Sequence, residues 1–335
     1  MPLFTNTTRL GDNVIMLRYI RRKIRDRLFK LVEQVLNGEK EAFLEERMTY
    51  LLHEVSETRQ HLRMLLGESP RFQAWTAQTR ASFDTQWHIL PEGDHLATDP
   101  SFLQRGSKLV EEYTQLPASW FKGKTLLDAG CGNGRWAYVF CRLGAKVTAV
   151  DQSDHGIENV RRLCSEFPDF RAQAANLLEP LALTTSFDFV WSFGVLHHTG
   201  DTRRSFDNVQ KMVKPGGKLL LMIYGEPERQ GEFDEINTYV KHRRATSAMT
   251  FPEKVEYLRD LYPTELVHGY FDAISPAIND LHRFDEIREW LVSSGFGDVK
   301  RTFDNRNLII MAIRKSSPIS RRVTHDLHAD RPTSN

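Results

Sequence analysis

An open α/β sheet covered by helices on both faces is the architecture that this chain predicts, and three observations predict it. From about residue 123, short apolar segments alternate with amphipathic ones: "KTLLDA", "KVTAVD", "FRAQAA", "FDFVWSF" and "GKLLLMIY". Such alternation implies crossover helices and a largely parallel sheet. A glycine-rich bend, "DAGCGNG", joins the first of these segments to an amphipathic run that begins near Arg135. Near the end, "GDVKRTF" and "NLIIMAIRK" flank Asp304-Asn305-Arg306, a polar break suited to a hairpin and so to an antiparallel edge.

Taken in order, residues 12–67 carry apolar side chains at three- and four-residue steps, among them Leu17, Ile24, Leu28 and Leu31, then Met48, Leu52 and Val55. Asn37-Gly38 is a helix-stop signal, so two helices are expected, as a hairpin packed on the main domain or as a short coiled coil that makes a homo-oligomer. The first helix is rich in arginine and lysine, which reads as a solvated face. The domain plan is a helical extension over 1–70, a lid or linker over 71–122, the main domain over 123–315 and a disordered tail over 316–335. Within the main domain, Pro215-Gly216-Gly217 supplies turn chemistry before the fifth strand. An aromatic-rich insertion covers about 226–297, where "HGYFDAISPAINDLHR" carries Gly269 and Pro276, which argue against a regular helix. The run "RFDEIREWLVSSGFGDV" reads as an amphipathic helix with Phe284, Ile287, Trp290 and Leu291 inward, ended by Gly295.

With 335 residues the chain can bury a sizeable core. Its 45 basic and 44 acidic residues leave a formal charge of +1, so no global field recruits nucleic acid or an anionic membrane. Cys131, Cys141 and Cys164 are spaced for neither a zinc site nor a disulfide framework, which fits a reducing cytoplasm. The first residues lack a signal-peptide pattern, and no run of about 18 apolar residues occurs to span a membrane.

Asp128, Gly130, Gly132 and Gly134 form D-x-G-x-G-x-G at the carboxyl end of the first strand. Glycines there permit a tight turn and leave bare backbone for a ligand lying over the bend. A dinucleotide fingerprint needs a third glycine where Arg135 stands, and a phosphate-cradling loop needs a G-K-[ST] ending that is absent. With "VTAVDQS", "VLHHTGD" and "VKPGGKLLLMIYG" following in order, residues 95–314 resemble the class I S-adenosylmethionine-dependent methyltransferases, of the ubiquinone-biosynthesis type with a methyltransferase type 11-like domain.

That resemblance implies a Rossmann-like, doubly wound seven-stranded sheet with an antiparallel C-terminal hairpin, and S-adenosyl-L-methionine as cofactor. It implies that the loop of Asp128, Gly130, Cys131, Gly132 and Gly134 wraps the methionine part of the cofactor, that Asp151 holds the ribose with Gln152 beside it, and that Asn176, Leu177 and Phe193 complete the pocket. Asp151 stands about twenty residues past the loop, as a ribose-binding carboxylate should, although a helix N-cap is its alternative role. Asn176 stands where an acid is usual, and closing a turn is its competing role.

Ligands of doubly wound sheets lie outside the carboxyl ends of the strands, which makes His197 and His198 after the fourth strand and Tyr224 after the fifth the candidate catalytic groups. The competing reading is that one histidine anchors the loop by hydrogen bonds and the other lines the cofactor pocket. His268, Tyr270, Asp272 and His282 of the insertion are the substrate-side candidates. A magnesium site from His268, Asp272 and His282 is conceivable chemically, but nothing fixes three ligands in one geometry, so no metal is assigned. The expected activity is methyl transfer to a small-molecule or glycan hydroxyl. Phenolic, quinone or isoprenoid acceptors, transfer-RNA modification and a cofactor-binding module without turnover are the alternatives.

Overall fold

The computed structural model describes residues 70–90 and 100–316. The helical extension expected over 1–70, its oligomerisation role and the tail lie outside them, apart from Pro70 and Ser316. Helices α1 (Pro70–Ile89) and α2 (Pro100–Thr114) precede strand β1 (Thr125–Ala129). Then α3 (Arg135–Arg142), β2 (Lys146–Asp151), α4 (Asp154–Leu163), β3 (Arg171–Ala174), β4 (Phe187–Phe193), α5 (Thr202–Gln210) and β5 (Val213–Ile223) follow in alternation. Helices α6 (Gln230–Ala245), α7 (Phe251–Leu261), α8 (Thr264–Ile274) and α9 (Phe284–Ser293) lead to β6 (Phe296–Phe303) and β7 (Leu308–Arg314).

The seven strands form one sheet in the order β3-β2-β1-β4-β5-β7-β6. Strands β1 to β5 pair in parallel, whereas β7 runs antiparallel to both β5 and β6. The hairpin read from Asp304-Asn305-Arg306 is therefore the antiparallel edge, inserted so that β7 lies inside. Phe121, Phe140, Phe189 and Trp191 fill one face of the sheet, and Leu127, Val190, Phe206 and Leu291 fill the other, all fully buried. Each buried leucine or phenylalanine contributes roughly 1.5–3 kcal/mol, so the two layers hold the parallel strands together with their carboxyl ends at one rim.

Two local readings shift. Pro215-Gly216-Gly217 lies within the range of β5, where the register jumps from Phe187↔Val213 to Phe189↔Lys218, so the turn is a bulge in a strand. Helix α8 runs straight through Gly269, and Pro276 falls beyond its last residue, Ile274. A glycine costs a helix about 1 kcal/mol, and burial of Val267, Phe271 and Ile274 outweighs that. Helices α7 and α8, with Leu90 after α1, form a third cluster beside the rim. Among the described residues, no helix is long and apolar enough to cross a membrane.

Candidate active site

A cavity of about 480 Å³ opens over the carboxyl ends of β1, β2, β4 and β5. Its floor is the bend after β1. Gly130 and Cys131 donate their backbone N–H groups to Val150 O at 2.8 and 3.0 Å, and Gly132 donates to Asp151 Oδ2 at 2.8 Å. Gly130 has φ +87, and a Cβ there would lie 2.4 Å from Val195. At Gly132, φ +51, a Cβ would meet the Trp87 indole at 2.6 Å, so only glycine allows the lid helix to lie on the bend.

Asp151 closes one end. Its Oδ1 accepts from Ser153 N at 2.8 Å and its Oδ2 accepts from Gly132 N, while burial raises its pKa. Each oxygen keeps a further lone pair, enough for two hydroxyl groups. Ser153 takes the N-cap role on α4, accepting from Gly156 N at 3.0 Å, which leaves Asp151 to the cavity. Gln152, Leu177 and Phe193 also line it. Asn176 lines it too, but its Oδ1 accepts from Leu178 N at 3.0 Å, so the amide closes a turn as well.

Two of the expected loop residues stand off the cavity. Asp128 is 1% exposed and lies beneath the bend, hydrogen-bonded to the Ala137 backbone. Burial, with the neighbouring Asp151 charge, pushes its carboxyl up to about 8, so it is a neutral support for the loop. Gly134 does not line the cavity either; its N–H donates to Cys131 O at 2.9 Å and it packs on Val160 at the start of α3.

The other wall carries the acid–base candidates. His198 lines the cavity and is 5% exposed. Its Nδ1 lies 3.0 Å from Ile278 O, and a carbonyl only accepts, so Nδ1 carries the proton and Nε2 keeps a lone pair. Among the described residues, Nε2 has no hydrogen-bond partner. Burial lowers the imidazole to about 4, which keeps it neutral over the ordinary pH range. Tyr224 lines the cavity with its hydroxyl 3.5 Å from Asp272 Oδ2, and burial raises the phenol, so it donates rather than ionises.

His197 does not reach the cavity. It is fully buried behind Tyr224, ring centroids 4.0 Å apart, and burial lowers its pKa. It packs the wall, and neither ring nitrogen has a hydrogen-bond partner among the described residues, so the side chain neither reaches the cavity nor anchors the loop by hydrogen bonds; His198, through Ile278 O, does that. His282 is also set apart: its Nδ1 lies 3.0 Å from Glu286 Oε2 and its Nε2 lies 3.0 Å from Thr202 Oγ1, tying α9 to α5. The set of His268, Asp272 and His282 is therefore not assembled in one place. His268, Tyr270 and Asp272 do line the cavity, His268 and Asp272 from one face of α8. Sequence reasoning missed Arg306, Asn307, Glu235 and Tyr239, which complete this end. Only topology brings the β6–β7 turn against α6.

Helix α1 is the roof. Phe83 and Trp87 line the cavity, Gln86 Nε2 lies 2.8 Å from His268 Nε2, and Ser153 Oγ donates to Asp84 Oδ1 at 2.6 Å. The roof is thus tied to α8 on one side and to the Asp151 corner on the other.

A family profile described as "Methyltransferase domain" matches residues 127–221, the stretch that builds the floor. With the glycine bend, Asp151 and the 3-2-1-4-5-7-6 sheet already in place, that match decides the family. The chain carries a class I S-adenosylmethionine-dependent methyltransferase domain. It is 38% identical over 104 residues to the mitochondrial ubiquinone biosynthesis O-methyltransferase of Schizosaccharomyces pombe, covering 30% of this chain and 38% of that protein. It is 28% identical over 177 residues to the ubiquinone biosynthesis O-methyltransferase of Coxiella burnetii, covering 52% and 64%. The chain thus matches less than two thirds of the length of these relatives. In structure it is similar to an O-methyltransferase family protein from Burkholderia thailandensis, with a TM-score of 0.50 at 14% identity over 94% of this chain and all of that one, a likeness of fold. The methyltransferase domain fits its cofactor: bare backbone at Gly130 to Gly132 and the spare lone pairs of Asp151 face one cavity.

Proposed function

We propose that this domain methylates a hydroxyl group of a small-molecule acceptor, with His198 as the general base. The observation that carries the reading is the fixed tautomer of His198, a ring that lines the same cavity as the glycine bend and whose Nε2 is unpartnered among the described residues and covered, with the Phe83 ring of the roof 4.8 Å away. S-adenosylmethionine supplies a methyl group on a positively charged sulfur. Asp151 would hold the ribose hydroxyls, and the bare main chain of Gly130 to Gly132 would receive the rest of the cofactor. His198 Nε2 takes the proton of the acceptor hydroxyl, and Tyr224, beside it, orients the acceptor together with Asp272. Phe83 and Trp87 exclude water, which favours transfer to the acceptor and strengthens these contacts. An alcohol needs such a base more than an amine or thiol does, and the similarity to O-methyltransferases points the same way.

Calorimetry with S-adenosylhomocysteine and transfer of a labelled methyl group from S-adenosylmethionine test the reading together. Hydrogen bonds to a charged group contribute about 1.5–3 kcal/mol, so Asp151→Ala is expected to weaken cofactor binding about 10- to 100-fold. His198→Ala is expected to lower turnover about 10²- to 10⁴-fold, the range of general-base catalysis, with cofactor affinity unchanged. Near-normal turnover in that variant would remove His198 as the base.

A further inference from the structure

Arg306 closes the end of the cavity farthest along the chain from the glycine bend. It comes from the turn between β6 and β7 and is 7% exposed. Its Nε donates to Glu235 Oε2 at 3.0 Å and its Nη1 donates to Gly225 O at 3.2 Å. The guanidinium lies 5.4 Å from the centre of the Tyr224 ring and 6.0 Å from that of Tyr239. Tyr239 in turn donates its hydroxyl to Glu235 Oε1. Both oxygens of Glu235 are thus satisfied within the protein, whereas Arg306 Nη2 makes no hydrogen bond among the described residues. A hairpin clip needs only the two bonds already made. A donor left unpartnered on a cavity wall is open to an acceptor on a ligand, and a planar guanidinium edge matches a carboxylate better than it matches a lone hydroxyl.

We propose that Arg306 is the anchor for the methyl acceptor, its Nη2 edge holding a carboxylate carried by the acceptor alongside the hydroxyl to be methylated. The inference rests on the reading of this cavity as a methyltransferase site. Glu235 and Gly225 fix the guanidinium so that little side-chain freedom is lost on binding. The rings of Tyr224 and Tyr239 shield the contact from water, which strengthens it. Substrate choice is then made at the strand-end turn and not in the glycine bend.

The test uses the full chain saturated with S-adenosylhomocysteine and titrated by calorimetry with benzoate, benzamide and phenyl phosphate. Benzoate is expected to bind at least tenfold more tightly than benzamide, and Arg306→Gln to erase that preference while S-adenosylhomocysteine affinity stays within twofold. Glu235→Gln removes the competing negative charge and is expected to tighten benzoate binding at least twofold, a readout that survives if Arg306→Gln does not fold. Equal binding of benzoate and benzamide, retained preference in Arg306→Gln, or weaker benzoate binding in Glu235→Gln would overturn the proposal. Phenyl phosphate binding tenfold more tightly than benzoate would overturn the carboxylate assignment. Failure of the wild-type chain to bind S-adenosylhomocysteine would instead overturn the cofactor reading beneath it.

Discussion

Asp128 shows how one side chain can serve a site it does not touch. Its carboxyl is buried under the bend with Oδ2 lacking a hydrogen-bond partner among the described residues, and burial raises it to about 8. The unfolded chain releases this proton near pH 4 and the folded one holds it to about pH 8, so the folded state binds more protons in between. Stability therefore falls as pH rises through that window, by up to about 1.4 kcal/mol per unit. Asp128→Asn has no proton to lose. Urea unfolding at pH 5 and pH 8, without cofactor, is expected to show the variant gaining on the wild type at the higher pH. Parallel behaviour of the two proteins would mean that Asp128 is ionised. The acid was legible in the sequence as part of the motif, but its place beneath the loop was not, because a motif fixes spacing along the chain and not which face of the bend a side chain takes.

Helix α1 is the element on which the site closes. Its half-buried Trp87 covers the glycine bend, its ring lies 5.4 Å from that of His268, and its backbone carbonyl accepts from Asn159 Nδ2 at 3.1 Å. Its core contribution is small, so it acts on binding more than on folding. Trp87→Ala is expected to weaken S-adenosylhomocysteine binding about tenfold or more while shifting the unfolding midpoint little, read by calorimetry and thermal melts on the same samples. A large loss of stability with intact affinity would make α1 scaffold instead of roof. The sequence marked residues 71–122 as a lid or linker, and nothing in their spacing separated the two. Strands and the helix of Ile287, Trp290 and Leu291 were legible because period and burial coincide. Helix α8 was not, since Gly269 argues locally against it and the third core cluster argues for it only once the chain has folded.

At the scale of the whole molecule, the family match ends at residue 221, and Tyr224, Glu235, Tyr239 and Arg306 line the cavity beyond it. That is why the cofactor half could be read from the sequence while Arg306, Glu235 and Tyr239 could not: they meet only through the placement of β7 between β5 and β6. Closing the cavity also buries several histidines at once. Burial lowers His198 to about 4 and His268 to about 3, and lowers His197 as well. Unfolded histidines bind protons below about pH 6.5 while these remain neutral, so the unfolded state binds more protons as pH falls. Asp128 and Asp151, both raised by burial, oppose them with protons held in the folded state. The histidines outnumber them, and His242, also lowered by burial, adds in their direction. Stability should therefore drop steeply between about pH 6 and pH 4, at about 1.4 kcal/mol per pH unit for each net proton. His268→Gln removes one such group and is expected to make the acid limb shallower by up to one proton, measured as the slope of unfolding free energy against pH. An unchanged slope would mean that His268 titrates alike in both states, and that the roof formed by Gln86 and Trp87 does not shut it from water.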